Sequence, residues 1–360
     1  MASVAFAVAA CSSAGQAAPG SSQPASPTTA VASLSAAASS SASPAGSAVV
    51  HGSVRLALDW TPNTNHAAFY VAQANGWYRD GGVDLRILPY SGTAPETLLT
   101  AHQADCGISF QDALTFAVAA GSPIVSVMAI LQHAGSEIAV LESSGITRPR
   151  QLDGKTYAGF GYPNEEPTVR SVIQHDGGKG TFRAVTADTA AYEALYAKRA
   201  DFTITFRAQE GVEAAQRNIK LRYFAFTDYG FPDFYQVVLA CDRQWLSANP
   251  ELARAFVGAT MRGLDVAATD PNAAADALIS QNPGVFDSNP ALPRDSAQFL
   301  AAHRLLVDGS GRVGIQTLGE WTGYSSFLYG AGLLADANGK PLKSPPDYSS
   351  LFTNDYLPPE

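Results

Sequence analysis

Positive charge is scarce in this chain of 360 residues. Arg55 is its first Lys or Arg, and Lys155 its first Lys. Against 23 Lys and Arg stand 32 Asp and Glu, a net charge of −9. Without a basic run the chain has no means of replacing the counterions on a phosphate backbone, which argues against a nucleic-acid partner. Cysteine is nearly absent: Cys11, Cys106 and Cys241 form no CxxC pair and no His/Cys cluster, so no structural metal site is expected. Cys106 and Cys241 lie in apolar surroundings and are expected as buried core thiols, and sequence alone cannot pair them. Beyond residue 11 no apolar stretch approaches the roughly 20 residues needed to cross a bilayer. Enzyme signatures are missing as well. There is no GxSxG elbow, HExxH, Walker A loop or GxGxxG, so neither a cofactor nor a catalytic set is expected. The six His are scattered, none paired at i, i+4 for a metal. The glycine run Gly177–Thr181 has the wrong spacing for a phosphate loop and reads as a surface turn.

What is present begins with an unusual N-terminus. Residues 2–10 are apolar and end in small side chains. Val8-Ala9-Ala10-Cys11 is similar to a bacterial lipobox, whose cysteine is lipidated and becomes the new N-terminus. The usual basic n-region is missing, which suggests that the true start lies upstream. From Cys11 to about Ser47 nearly every residue is Ser, Ala, Gly, Pro, Thr, Gln or Val and none is charged. Such a stretch buries too little to offset its own ordering entropy and is expected to be a disordered tether. Segments 1–11 and 12–52 are therefore assigned to signal and linker.

The remainder is globular, helped by 46% hydrophobic residues. Strands are expected at 54–58, 83–88, 106–110 and 124–130, with helices at 67–75, 94–102 and 112–120 between them. The alternation restarts with strands near 156–160, 183–185 and 202–206 and helices at 167–175 and 190–198. Strands alternating with helices at this spacing imply largely parallel sheets, here in two α/β units. After Val237–Ala240 the chain turns helical at 250–269, 271–281, 296–306 and 318–329.

Leu58-Asp59-Trp60-Thr61-Pro62-Asn63-Thr64-Asn65-His66, followed by Phe69-Tyr70-Val71-Ala72 and Gly76-Trp77-Tyr78, resembles the opening of the NMT1/THI5-like family. Phe231-Pro232-Asp233-Phe234-Tyr235, Asn249-Pro250-Glu251 and the closing Thr353-Asn354-Asp355-Tyr356-Leu357-Pro358 resemble it in the same order. The resemblance implies a type II periplasmic-binding-protein-like fold. Two α/β lobes would flank a ligand cleft, with two interlobe crossings near 137–142 and 235–240. Lobe one would be 53–140 plus 241–360, and lobe two 141–240. It further implies an extracytoplasmic solute-binding lipoprotein of an ABC importer, monomeric, held to the membrane through Cys11 and delivering a thiamine pyrimidine precursor to its permease. A riboflavin-like molecule, nitrate, sulfonate or taurine is the alternative ligand. A pyrimidine-synthesising enzyme is the alternative function, although the family's CCCFC segment is absent and no Lys is available before Lys155.

Ligands of open α/β sheets sit outside the carboxyl ends of strands. The polar loops there are Asp59, Trp60 and Asn63 after the first strand; Ser91, Gly92 and Thr93 after the second; and Ser109, Gln111 and Asp112 after the third. In the second unit Tyr162, Asn164, Glu165, Glu166 and Glu210 follow strands, and Phe231 and Asp233 precede the return. A flat aminopyrimidine would stack on Trp60, Tyr162 or Phe231, and the family resemblance implies Asp59, Glu165 or Glu166, and Glu210 as the carboxylates that accept from it. His66 is expected as a helix-start or pocket residue.

Overall fold

The computed structural model describes residues 51–359. The expected lipidation at Cys11, the signal segment and nearly all of the tether lie outside the described residues.

Strand β1 (Gly52–Ala57) leads through a 3-10 turn (Thr64–His66) into α1 (Ala67–Ala74) and the short α2 (Trp77–Asp80). Then follow β2 (Val83–Leu88), α3 (Pro95–Thr100), β3 (Cys106–Ser109), α4 (Gln111–Ala119) and β4 (Ile124–Leu131). The second set is β5 (Ser136–Leu141), β6 (Thr156–Gly159), α5 (Glu165–His175), β7 (Arg183–Thr186), α6 (Ala191–Tyr196) and β8 (Phe202–Phe206). A π-helical turn (Arg207–Gly211), α7 (Val212–Gln216), β9 (Leu221–Ala225) and the returning β10 (Val237–Asp242) complete it. Helices α8 (Arg243–Ala248), α9 (Pro250–Thr269), α10 (Pro271–Gln281), α11 (Leu292–Ala302) and α12 (Leu318–Gly330) close the chain. Helix α11 starts earlier than expected because Pro293 is welcome in a first turn, and it stops before Arg304, which adopts φ 56°.

Two five-stranded sheets result, ordered β2-β1-β3-β10-β4 and β7-β6-β8-β5-β9. Each is parallel on one side and takes one antiparallel strand: β10 against β3 and β4, β5 against β8 and β9. Each of those strands is supplied by chain that has just left the other sheet. The crossings therefore fall at 132–135 and 226–236, and the segments expected to cross, 137–142 and 235–240, lie mainly within strands. An extended apolar run suits a central strand as well as a connector, so its pattern does not tell them apart. The expected boundary at 140 consequently falls inside β5. Strand β9, not foreseen, is an edge strand whose only fully buried side chain is Phe224.

The first core gathers around β4, buried at every position, with α1 laid against α9. A Cβ at Gly263 would run into the Ala68 carbonyl, so the close approach of α1 and α9 requires glycine there. The second core joins Ile138, Tyr157, Val169, Phe202 and Phe231 to Tyr324 and Leu328 of α12. Helix α12, in the stretch expected for lobe one, thus packs into the second core.

Cys106 and Cys241 are buried as expected, but they are not free thiols: they form a disulfide across 135 residues. Strand β10 returns beside β3 in a register that sets Cys241 directly opposite Cys106. That register is a long-range fact, invisible to local sequence.

Candidate functional site

The carboxyl end of the first sheet collects acid groups from three loops. Asp59 follows β1. Glu96 lies in the first turn of α3, which Pro95 opens, and Asp112 in the first turn of α4. Burial raises the Glu96 carboxyl above the usual range; the nearby charges of Asp112 and Asp59 raise it further, against a hydrogen bond from Ser109 Oγ. Burial likewise raises Asp112, opposed by donors that include Asn164. None of the ion pairs among the described residues includes Glu96, Asp112 or Glu210. Glu96 and Asp112, with Asp59 beside them, form a half-buried acidic group to which no Lys or Arg among the described residues is attached.

Beside them Trp60 stands 45% exposed, its ring 5.2 Å from that of Tyr90. Across the cleft Tyr162 is 67% exposed and lies within the electrostatic reach of Asp112 and Tyr90. Its ring stacks on Phe160 at 6.4 Å, and Phe160 meets Tyr192 edge-on at 5.6 Å. Tyr192 borders Glu210, whose carboxyl burial pushes up to about 7 and whose Oε2 is buried without a partner. Aromatic faces thus run from the first lobe to the second, with a carboxyl group near each end.

The lobes touch directly. Asn164 Nδ2 donates to Asp112 Oδ2 at 2.7 Å and lies 2.7 Å from the Tyr324 hydroxyl. Gln209 Nε2 on the π-helical turn donates to Thr64 Oγ1 at 2.6 Å and to Ser296 Oγ at 3.1 Å. Phe110 and Phe206 meet at 6.2 Å.

A model of the NMT1/THI5 like family matches residues 63–274. The chain belongs to that family. Among similar proteins, the formylaminopyrimidine-binding protein of Halalkalibacterium halodurans is 25% identical over 77% of this chain and 84% of its own length. The 4-amino-5-hydroxymethyl-2-methylpyrimidine phosphate synthase THI5 of Saccharomyces cerevisiae is 26% identical over 84% of this chain and 87% of its own. Among solved structures, the alkanesulfonate-binding protein SsuA from Xanthomonas axonopodis pv. citri bound to MOPS is 14% identical, with a TM-score of 0.61 over 86% of this chain and 99% of that one. The fold is the expected one, two α/β lobes of the periplasmic-binding-protein kind.

Within this family frame the residues singled out from sequence separate. Asp59, Trp60 and Ser109 belong to the acidic, aromatic end of the first sheet. Ser91, Gly92 and Thr93 are exposed on the neighbouring loop, where Gly92 adopts φ 79°. Asn63 is spent on its own turn: Oδ1 accepts from the Asn65 N–H at 2.9 Å, and Nδ2 donates to the Thr61 carbonyl at 3.1 Å. His66 is fully buried behind Asp59. Gln111 is buried too, bonding the Glu320 and Trp321 carbonyls and the Tyr235 N–H.

In lobe two, Tyr162, Glu165 and Glu166 line one cavity of about 400 Å³ between the β6–β7 edge and the start of α5. Glu165 accepts from the Phe160 and Gly161 N–H groups at 3.1 Å each, closing the loop before α5. Glu166 points outward within 4.0 Å of Arg170. Phe231 is buried among Tyr324 and Phe327, and Asp233 binds the first crossing.

Sequence reasoning missed Glu96, Tyr90, Tyr192 and Tyr324. Glu96 carried a signal, a carboxylate just inside a Pro-opened helix after a strand. Tyr324 lies 160 residues from Asn164, a pairing set by the path of α12.

Proposed function

We propose that this chain is the exported solute-binding component of an ABC importer and carries a thiamine pyrimidine precursor, a hydroxymethyl- or formylaminomethyl-aminopyrimidine. The observation that carries this reading is the group Asp59, Glu96 and Asp112, without Lys or Arg partners among the described residues, beside the exposed Trp60–Tyr90 pair. A flat, basic heterocycle can stack on the rings while its amine and protonated ring nitrogen donate to carboxylates. Nitrate or a sulfonate would need cationic donors instead. The name of the Halalkalibacterium relative points the same way. The crossings at 132–135 and 226–236 would serve as the hinge, and Asn164–Asp112 and Gln209–Thr64 would be contacts of the closed form. We further assign the chain to the outside of a bacterial cell membrane as a monomer, lipid-anchored through Cys11. The buried Cys106–Cys241 disulfide suits an oxidising compartment.

A synthase reading draws on the yeast relative. Against it, both ring nitrogens of His66 are already hydrogen-bonded, and the first Lys in the chain is Lys155.

The test is thermal stabilisation of residues 48–360 by 4-amino-2-methylpyrimidine derivatives, riboflavin, thiamine, taurine and nitrate. Ligand at 100 times its dissociation constant should add about 2.7 kcal/mol. A shift with pyrimidine alone, lost in Asp59→Ala, supports the reading. A shift only with another compound replaces the ligand, and no shift at all removes the receptor reading.

A further inference from the structure

His66 is 0% exposed, so it cannot touch a solute in the cleft. Its two ring nitrogens are nevertheless placed with care. The Asn63 N–H donates to Nδ1 at 3.2 Å. A nitrogen that accepts carries no proton, so the ring proton sits on Nε2, which donates to Asp59 Oδ1 at 2.7 Å. Asn63 itself is held by its own turn, and Thr64 is pinned to Ser296 at 2.7 Å. Both ring nitrogens are thus engaged, and in this arrangement the imidazole offers Asp59 its Nε2–H. Among the described residues Asp59 Oδ2 has no hydrogen-bond partner, and it is not among the buried unpartnered atoms, so it faces solvent next to Trp60.

We propose that His66 is a positioning residue for ligand recognition. It occupies one oxygen of Asp59, fixes the side-chain torsion and turns the second oxygen toward the cleft, pre-oriented for an amine donor. The recognition energy is larger because the carboxylate loses no freedom when the solute arrives. A purely architectural role would be the stitching of the 3-10 turn to the end of β1. The two roles differ in whether His66 matters once the Asp59 carboxylate is gone. The inference rests on the reading of Asp59 as a ligand carboxylate.

The experiment is a double-mutant cycle, with 4-amino-5-hydroxymethyl-2-methylpyrimidine as the calorimetric probe. Glutamine can present an N–H in place of Nε2 and an oxygen in place of Nδ1, whereas leucine can do neither. Losing one hydrogen bond to a charged group should weaken binding roughly ten- to hundredfold in His66→Leu, and His66→Gln should stay within about threefold of wild type. In an Asp59→Asn background, His66→Leu should add little. A nitrogen-15 spectrum of labelled histidine should show the His66 proton on Nε2, a readout that stands even where a variant folds poorly. The proposal is overturned if the two losses are additive, if Gln fails as badly as Leu, or if the proton is found on Nδ1. A wild type that binds no pyrimidine overturns the pyrimidine reading and this assignment together. A wild type that binds while the cycle is additive overturns only this assignment.

Discussion

His133 and Asp233 tie the two interlobe crossings together. His133 Nδ1 lies 2.7 Å from Asp233 Oδ2, and the Ala134 N–H donates to Asp233 Oδ1 at 2.9 Å. The other ring nitrogen of His133 lies 3.2 Å from the Val307 carbonyl. Both of its neighbours are acceptors, so the ring is satisfied as an imidazolium, and the bond to Asp233 raises its pKa above the ordinary histidine value. Asp233 feels burial in the opposite sense, but the His133 bond and charge and two backbone donors hold its carboxyl below the usual range.

The pH dependence of this clamp follows from those directions. A raised histidine stabilises fully below about 6.5 and loses that contribution as pH climbs through its folded value. A depressed aspartate stabilises above about 3.9 and loses its share as pH falls through its lower folded value. The melting temperature of His133→Gln should therefore fall furthest below wild type near pH 5–6 and converge on it toward pH 9. With both side chains about one-third exposed, the effect should be about 1 kcal/mol or less. A constant difference across that range would contradict the clamp.

Glu210 should give the opposite slope to a paired acid. Its folded value of about 7 stands above the ordinary 4.5, so between those values the folded protein holds a proton that the unfolded chain has lost. Stability due to this group is present below about 4.5 and is lost as pH rises through 7. Glu210→Gln, which keeps the shape without the charge, should be about 1–2 kcal/mol more stable than wild type at pH 8 and nearly equal to it at pH 5. Urea unfolding at the two pH values decides this. If Glu210 is also a ligand carboxylate, the same variant binds pyrimidine more weakly.

Neighbouring glutamates should part company. Glu165 accepts two backbone N–H groups in the loop before α5, so Glu165→Ala should cost about 1–2 kcal/mol of stability, as loss of a cap does. Glu166→Ala, on the exposed face, should stay within about 0.5 kcal/mol of wild type. Trp60→Ala should leave the melt almost unchanged and weaken pyrimidine binding by about 1–2 kcal/mol through lost stacking. Denaturation curves and calorimetry on the three variants separate the roles.

Reduction of Cys106–Cys241 should be strongly felt. Closing a loop of 135 residues removes chain entropy worth at most about 5 kcal/mol from the unfolded state. The double variant Cys106→Ala/Cys241→Ala should unfold at clearly lower denaturant concentration than the oxidised protein, and reductant should have no effect on it. Reductant added to the folded wild type should act slowly, because both sulfurs are buried.

Much of the architecture was legible in the residues themselves. Periodicities of 2 and 3.6 are local, so β1 to β4, α1, α9 and α10 fall within a few residues of their sequence-based positions. The polar loop Asp59–Trp60 was legible as well, because a strand followed by turn chemistry places its exit loop at the carboxyl end of a sheet. What stayed hidden depends on contacts between distant segments. The strand identity of 136–141, the partner of Cys106, the helix α12 wedged into the second core and the Asn164–Tyr324 contact all follow from chain paths that local composition does not encode. The same holds for the site. Sequence offered a set of polar side chains near strand ends, and tertiary packing divided them: Asn63, Gln111, Glu165 and Asp233 satisfy backbone groups that burial would otherwise leave unpaired, whereas Trp60 and one oxygen of Asp59 remain open. A buried donor or acceptor must find a partner, and which side chain is nearest to supply it is decided only once the chain has folded.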